Sequence, residues 1–193
     1  MRVNEIFYSL QGEGCHSGTP AVFVRFSGCN LQCPFCDTRH QDGKEMSVEA
    51  IVGAIAQWPA KMVVMTGGEP LRQLTEELVH ELHQRHYYVA VETNGTMPLV
   101  EGIDWVTLSP KDLWLGSAAR PVLEWADELK VLYDGTCDPA RYDKIRTDNR
   151  LLQPMDTGDP VRNAAIREET VRYCLDHPQW SLSLQIHKIL QIP

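Results

Sequence analysis

Residues 21–36 read AVFVRFSGCNLQCPFC, a strand-like run that breaks into a loop holding three cysteines. Positions 21–26 are apolar apart from Arg25 and are of strand length. Cys29, Cys33 and Cys36 follow with the spacing C-x-x-x-C-x-x-C, and Phe35 stands directly before the last. The same arrangement, a short apolar run opening into polar residues, recurs along the chain. Residues 62–65 lead into Thr66-Gly67-Gly68-Glu69-Pro70, residues 88–91 into Glu92-Thr93-Asn94-Gly95, and residues 105–108 into Ser109-Pro110-Lys111. Residues 129–133 form a further run, residues 150–152 lead into Gln153-Pro154-Met155-Asp156, and a last run at 181–186 has Gln185 and His187 at its end.

Helical periodicity lies between these runs. Val48, Ile51, Val52 and Ile55 fall at i, i+3, i+4 and i+7, with Ser47 as N-cap and Pro59 as terminator. Leu71, Leu74, Leu78 and Leu82 line one side of a second helix whose first turns carry Glu76 and Glu77. Asp159 before Pro160 is a good cap and first-turn pair for a third, running towards Leu175. Strands alternating with helices pair in parallel through right-handed crossovers. The expected fold is α/β, a compact, modified or partial (β/α) barrel with a parallel sheet, built as a single domain over residues 1–193. In such folds the carboxyl ends of the strands share one rim, which carries the chemistry. Each polar cluster taken alone is also an ordinary turn; their common position after strands argues for one site.

Composition narrows the function. The chain has 193 residues, 43% of them hydrophobic and 23% charged, with a net charge of -8. A polyanion would be repelled, so a small substrate is expected and a nucleic-acid partner is not. The amino-terminal MRVNEIFYSLQGEG has no apolar h-region, and no apolar run approaches membrane-spanning length. We therefore expect a soluble, cytoplasmic chain without a membrane partner, whose thiols stay reduced and free to bind metal. Of the six cysteines, Cys137 falls in a turn and Cys174 on the packed side of the last helix, and both read as structural. His80, His83 and His86 fan around the second helix and read as solvated.

Three thiolates in one loop are one short of the usual four around a 4Fe-4S cluster, which leaves one iron open to another ligand. Zinc is the alternative, with Cys15 completing four ligands. A cluster or zinc module without catalysis, serving electron transfer or an interface, is a second. Thr66-Gly67-Gly68-Glu69 suits an amino acid moiety: glycines let backbone approach a ligand, and a carboxylate accepts from an ammonium. Arg25 suits a carboxylate-bearing substrate and equally suits a structural ion pair.

The cysteine spacing with its penultimate aromatic resembles the signature of radical S-adenosylmethionine enzymes, and Gly67-Gly68-Glu69 resembles their motif for the methionyl amine. Leu10-Gln11-Gly12-Glu13-Gly14, Arg25, Cys36-Asp37-Thr38, Ser109-Pro110-Lys111 and Gln185-Ile186-His187-Lys188 before Pro193 resemble, together, the 7-carboxy-7-deazaguanine synthase family. A glycyl-radical activase shares the cysteine loop but leaves the first and last of these motifs without a role.

The resemblance implies a homodimeric radical lyase that turns 6-carboxy-5,6,7,8-tetrahydropterin into 7-carboxy-7-deazaguanine with ring contraction and loss of ammonia, towards queuosine. It implies Cys29, Cys33 and Cys36 as cluster ligands and an external donor such as flavodoxin or ferredoxin. S-adenosylmethionine would meet Phe35, Cys36, Asp37, Gly67, Gly68 and Glu69, then Ser109, Pro110 and Lys111, and Gln153, Pro154, Met155 and Asp156. The substrate would meet Leu10, Gln11, Gly12, Arg25, Thr66 and the terminal carboxylate of Pro193, with Glu13, Glu92, Gln185 and His187 as further candidates. Thr38 would ligate a magnesium ion shared with the substrate carboxylate, a hard-oxygen role suited to an ion that keeps several waters. Cys15 lies outside the family pattern.

Overall fold

A computed structural model describes residues 1–38 and 40–193. Nine strands form one sheet in the order β3-β1-β2-β4-β5-β6-β7-β8-β9. They are β1 (Arg2–Leu10), β2 (Pro20–Phe26), β3 (Lys44–Glu45), β4 (Met62–Gly67), β5 (Tyr88–Thr93), β6 (Trp105–Leu108), β7 (Glu128–Tyr133), β8 (Asn149–Pro154) and β9 (Ser181–Leu182). From β2 to β9 every pairing is parallel, whereas β1 runs antiparallel to both β2 and β3. The helices are α1 (Val48–Ile55), α2 (Glu76–His83), α3 (Asp112–Leu115), α4 (Pro160–Asp176) and α5 (Ile186–Leu190).

Alternation along the strands separates two layers. Val22, Val24, Phe26, Val63, Met65, Val89, Val91, Val106, Leu108, Leu129, Val131 and Leu152 are buried with Ile51, Ile55, Leu78 and Leu82 of the helices. Sealing each such side chain from water contributes about 2 kcal/mol. The opposite parity points inward: Ala21, Phe23, Met62, Val64 and Ala90 form a smaller cluster with Phe7 and Trp105. Above it, the same inward parity carries Arg25, Thr66, Glu92, Lys130 and Gln153.

The sheet is a partial barrel whose first and last strands do not pair. The segment after β1 fills the gap. Ile186 N–H donates to the Gly12 carbonyl at 2.8 Å, and Gly14 N–H donates to Ser183 Oγ at 3.1 Å. Gly14 has φ +71°, and a Cβ there would run into the Glu128 carboxylate, so glycine is required by both backbone and space.

Three local expectations are corrected. The second helix begins at Glu76, capped by Thr75; Leu71 and Leu74 precede it, around a one-turn 3-10 segment at Pro70–Arg72. The last strand is only Ser181–Leu182, and Gln185 and His187 belong to the start of α5. β1 was not anticipated, because charged and amide residues in RVNEIFYSL interrupt its apolar pattern. Of the helix histidines, His83 Nε2 lies 2.9 Å from Asp104 Oδ2, and His86 falls beyond α2. Cys137 and Cys174 pack against the main core, as their positions suggested.

Candidate active site

The carboxyl ends of β2, β4, β5, β6, β7 and β8 surround a cavity of about 620 Å³. Cys29, Cys33, Cys36 and Phe35 line it from the loop after β2, Gly67 and Gly68 from the end of β4, and Ser109 and Lys111 from the turn after β6. Gln153, Met155, Asp156, Asp37 and Thr38 also line it. So do Leu10, Gln11, Gly12, Glu13, Arg25, Thr66, Glu92, Gln185, His187 and Pro193.

Glu69, Pro110 and Pro154 stand outside this lining. Glu69 is wholly buried and its carboxylate accepts from Thr93 Oγ1 at 2.7 Å, Asn94 N–H at 2.8 Å and Leu71 N–H at 3.1 Å. Burial pushes its pKa up despite these donors. Its carboxylate ties the β4 and β5 rims together. Gly68 likewise answers a packing need: a Cβ there would fall on the Gly28 carbonyl and 2.9 Å from Cys29 Cβ. The second glycine lets the β4 rim lie directly against the cysteine loop.

That loop is anchored on three sides. Asn30 Oδ1 accepts from Asn94 Nδ2 at 3.1 Å while Asn30 Nδ2 donates to Thr96 Oγ1 at 2.7 Å. Phe35 meets the Trp114 ring edge-on, with centroids 5.1 Å apart. Lys188 Nζ donates to Asp37 Oδ2 at 2.9 Å and to Asp156 Oδ2 at 2.8 Å, which holds Asp156 down to about 2.

Electrostatics divide the cavity. Burial raises the Cys29 and Cys33 thiols, and the Lys111 ammonium draws Cys33 partly back. Lys111 Nζ donates to the Ser109 carbonyl and hydroxyl at 2.5 and 2.6 Å, and burial pulls it down to about 8. On another side Arg25 Nε lies 2.6 Å from Glu5 Oε1, and its guanidinium sits over the Phe7 ring. Phe7 itself stacks on Phe23 at 4.9 Å, and all four residues line the cavity.

A third group surrounds Lys130. Its Nζ is 2.5 Å from Glu13 Oε2 and 3.6 Å from Glu92 Oε1. Gln185 Nε2 donates to Glu13 at 2.9 Å, and Gln11 Nε2 and Thr66 Oγ1 donate to Glu92 at 3.1 and 3.3 Å. Burial alone would raise the Glu13 carboxyl, but the Lys130 charge and these hydrogen bonds hold it at about 2. Burial likewise works against the Lys130 charge and is overcome by Glu13, Glu92 and Glu128, so its pKa rises. Sequence reasoning did not assign Lys130 a role. The available signal was a lysine at inward parity in ELKVLY, flanked by Leu129 and Val131.

The residues fit an iron-sulfur cluster by donor chemistry: three soft thiols on one loop, bordered by backbone that only glycine permits. Cys15 does not join them. It lines a separate pocket with Asn149, Arg150 and Ser181, its N–H donates to Glu128 at 2.6 Å, and burial raises its thiol to about 12. Among the described residues no three His, Cys, Asp or Glu side chains converge as a single-ion site. Thr38 Oγ1 and the Asp37 carboxylate, 3.5 Å apart, are hard oxygens of the kind magnesium takes alongside water.

A parallel partial barrel with three thiols on the loop after its first parallel strand defines a member of the radical SAM superfamily, and residues 23–113 match that family. The 7-carboxy-7-deazaguanine synthase of Bacteroides thetaiotaomicron is 46% identical over 99% of this chain and 98% of its own. The Nitratidesulfovibrio vulgaris enzyme of that name is 44% identical over 100% and 99%. In structure, QueE from Escherichia coli superposes with a TM-score of 0.74 and 28% identity, covering 96% of this chain and 94% of that one. The chain belongs to the 7-carboxy-7-deazaguanine synthase family, and with it to enzymes that need a reductant and act on a small molecule.

Proposed function

We propose that the protein converts 6-carboxy-5,6,7,8-tetrahydropterin to 7-carboxy-7-deazaguanine and ammonia. The observation that carries this reading is one cavity in which the cysteine loop faces both the Arg25 guanidinium and a set of fixed carboxylates. When bound, the 4Fe-4S cluster and S-adenosylmethionine would supply the radical chemistry of the reaction. Cys29, Cys33 and Cys36 hold the cluster. Asp37, Ser109, Lys111, Gln153 and Asp156 orient the cofactor from the strand ends around the loop.

The chain's remaining work is binding and orientation. Arg25, its Nε fixed by Glu5, keeps its terminal nitrogens for the substrate carboxylate, and a planar fork suits that group. Thr38 would hold a magnesium ion, whose charge would suit the substrate carboxylate. Phe7 and Phe23 give the ring an apolar face. Gln11, Thr66, Glu92, Gln185 and His187 meet its polar edges. Ser9 Oγ donates to the Pro193 oxygen at 2.8 Å, which holds Pro193 at the cavity.

The protein works in the cytoplasm as a homodimer and takes electrons from a flavodoxin or ferredoxin; among the described residues no helix is long and apolar enough to cross a membrane. Anaerobic incubation of the reconstituted protein with reductant, cofactor, magnesium and substrate tests the reading. Equal amounts of 7-carboxy-7-deazaguanine and ammonia are expected. Cofactor cleavage to 5′-deoxyadenosine without either would mean another substrate.

A further inference from the structure

Lys130 is a buried ammonium, 6% exposed at its side chain, rising from the middle of β7 into the floor of the cavity. An isolated charge at such depth is costly, and a second element must supply its counter-charge. Two elements do: Glu13 from the segment that closes the barrel and Glu92 from the end of β5. Glu128, beneath, faces the Cys15 N–H. Two carboxylates share this one ammonium, so their oxygens retain hydrogen-bond acceptor capacity. Each carboxylate is further fixed by neutral donors, Glu13 by Gln185 and Glu92 by Gln11 and Thr66. Glu13 and Glu92 keep 16% and 25% exposure, both on the cavity wall.

We propose that Lys130 is a positioning residue that sets Glu13 and Glu92 as a rigid acceptor pair for the amino and ring N–H edge of the substrate's aminopyrimidinone. This rests on the substrate proposed above. The chemistry is that of carboxylates facing a donor edge, the complement of the guanidinium that faces the substrate carboxylate. A site built around acceptors rejects a ligand lacking the donor, because its buried carboxylate is then left unpaired. Lys130 touches neither cofactor nor substrate in this account; it acts through the two glutamates.

Equilibrium binding tests this without requiring turnover. The probes are 6-carboxytetrahydropterin and its 2-deamino analogue, measured anaerobically on cluster-loaded protein with S-adenosylmethionine present. Wild type is expected to favour the amino compound by about tenfold or more, the worth of one charge-assisted hydrogen bond. Lys130→Arg keeps the charge and should keep most of that preference. The isosteric double variant Lys130→Met, Glu13→Gln avoids a stranded buried charge and should reduce the preference to about threefold or less. If the double variant fails to load iron, Glu13→Gln alone carries the comparison, with Lys130 still paired to Glu92.

Equal affinities in wild type, or a preference that survives in a folded, iron-loaded variant, overturn the inference. Discrimination by a wild-type protein that yields no deazaguanine would uphold the acceptor pair and overturn the proposed reaction. Binding of neither compound would overturn both.

Discussion

Lys188 Nζ sits 2.9 Å from Asp37 Oδ2, so the carboxyl-terminal helix grips the cysteine loop one residue beyond its last cysteine. The same ammonium reaches Asp156 at the end of β8. Both pairs are between about a third and a half exposed, and such pairs contribute at most about 1 kcal/mol. Lys188→Met should therefore leave the melting temperature nearly unchanged while weakening S-adenosylmethionine binding about threefold to tenfold, and added salt should reproduce part of the loss in wild type. Unchanged cofactor affinity in the variant would remove the latch from the site.

The Gly68 backbone touches the cysteine loop so closely that the smallest side chain has no room. Gly68→Ala should force the loop outward at a cost of about 1–3 kcal/mol. Iron and sulfide bound per chain after reconstitution should fall together. Wild-type iron content would show that the loop yields freely.

Cys15 and Cys29 offer a contrast within one chain. Cys15→Ala should keep full iron content and turnover, because its thiol lines a different pocket from the cavity cysteines. Cys29→Ala should lose the cluster. Iron analysis of the two variants side by side decides the matter, and loss of iron in Cys15→Ala would return a four-cysteine site to consideration.

The Glu13–Lys130 pair makes stability depend on pH. Glu13 titrates near 2 when folded against a usual 4.5, so its contribution is complete above 4.5 and is lost as pH falls towards 2. Lys130 is shifted the other way, so its contribution is present below 10.5 and is lost at still higher pH. Urea unfolding of Glu13→Gln should lose part of the acid slope, on the order of 2 kcal/mol between pH 4.5 and 2. An acid slope equal to that of wild type would show that the pair adds nothing.

Strand runs and the polar clusters after them were legible because inward and outward parity leave a period of two, and because turn chemistry follows each run. α1 and α4 were legible from Ser47 and from Asp159-Pro160, both of which cap as expected. β1 was hidden because charged and polar residues interrupt its apolar pattern, and its inward Glu5 and Phe7 line the cavity, Phe7 also packing on the small inner cluster. The fate of Glu69 could not be read either: only the fold brings Thr93 and Asn94 over it. Lys130 was visible as a charge inside an apolar strand, but its partners lie 117 and 38 residues away in sequence.

The most direct measurement follows hydrogen from the substrate to the cofactor. The reconstituted protein is given 6-carboxytetrahydropterin deuterated at C6, and the S-adenosylmethionine recovered after many turnovers is analysed by mass spectrometry. A substrate held by Arg25 and the Lys130 group, facing the cysteine loop across one cavity, should pass deuterium into the 5′ carbon of recovered cofactor as deazaguanine accumulates. Deazaguanine formed with unlabelled cofactor would contradict direct transfer, and labelled solvent in its place would mean that the hydrogen leaves by another route.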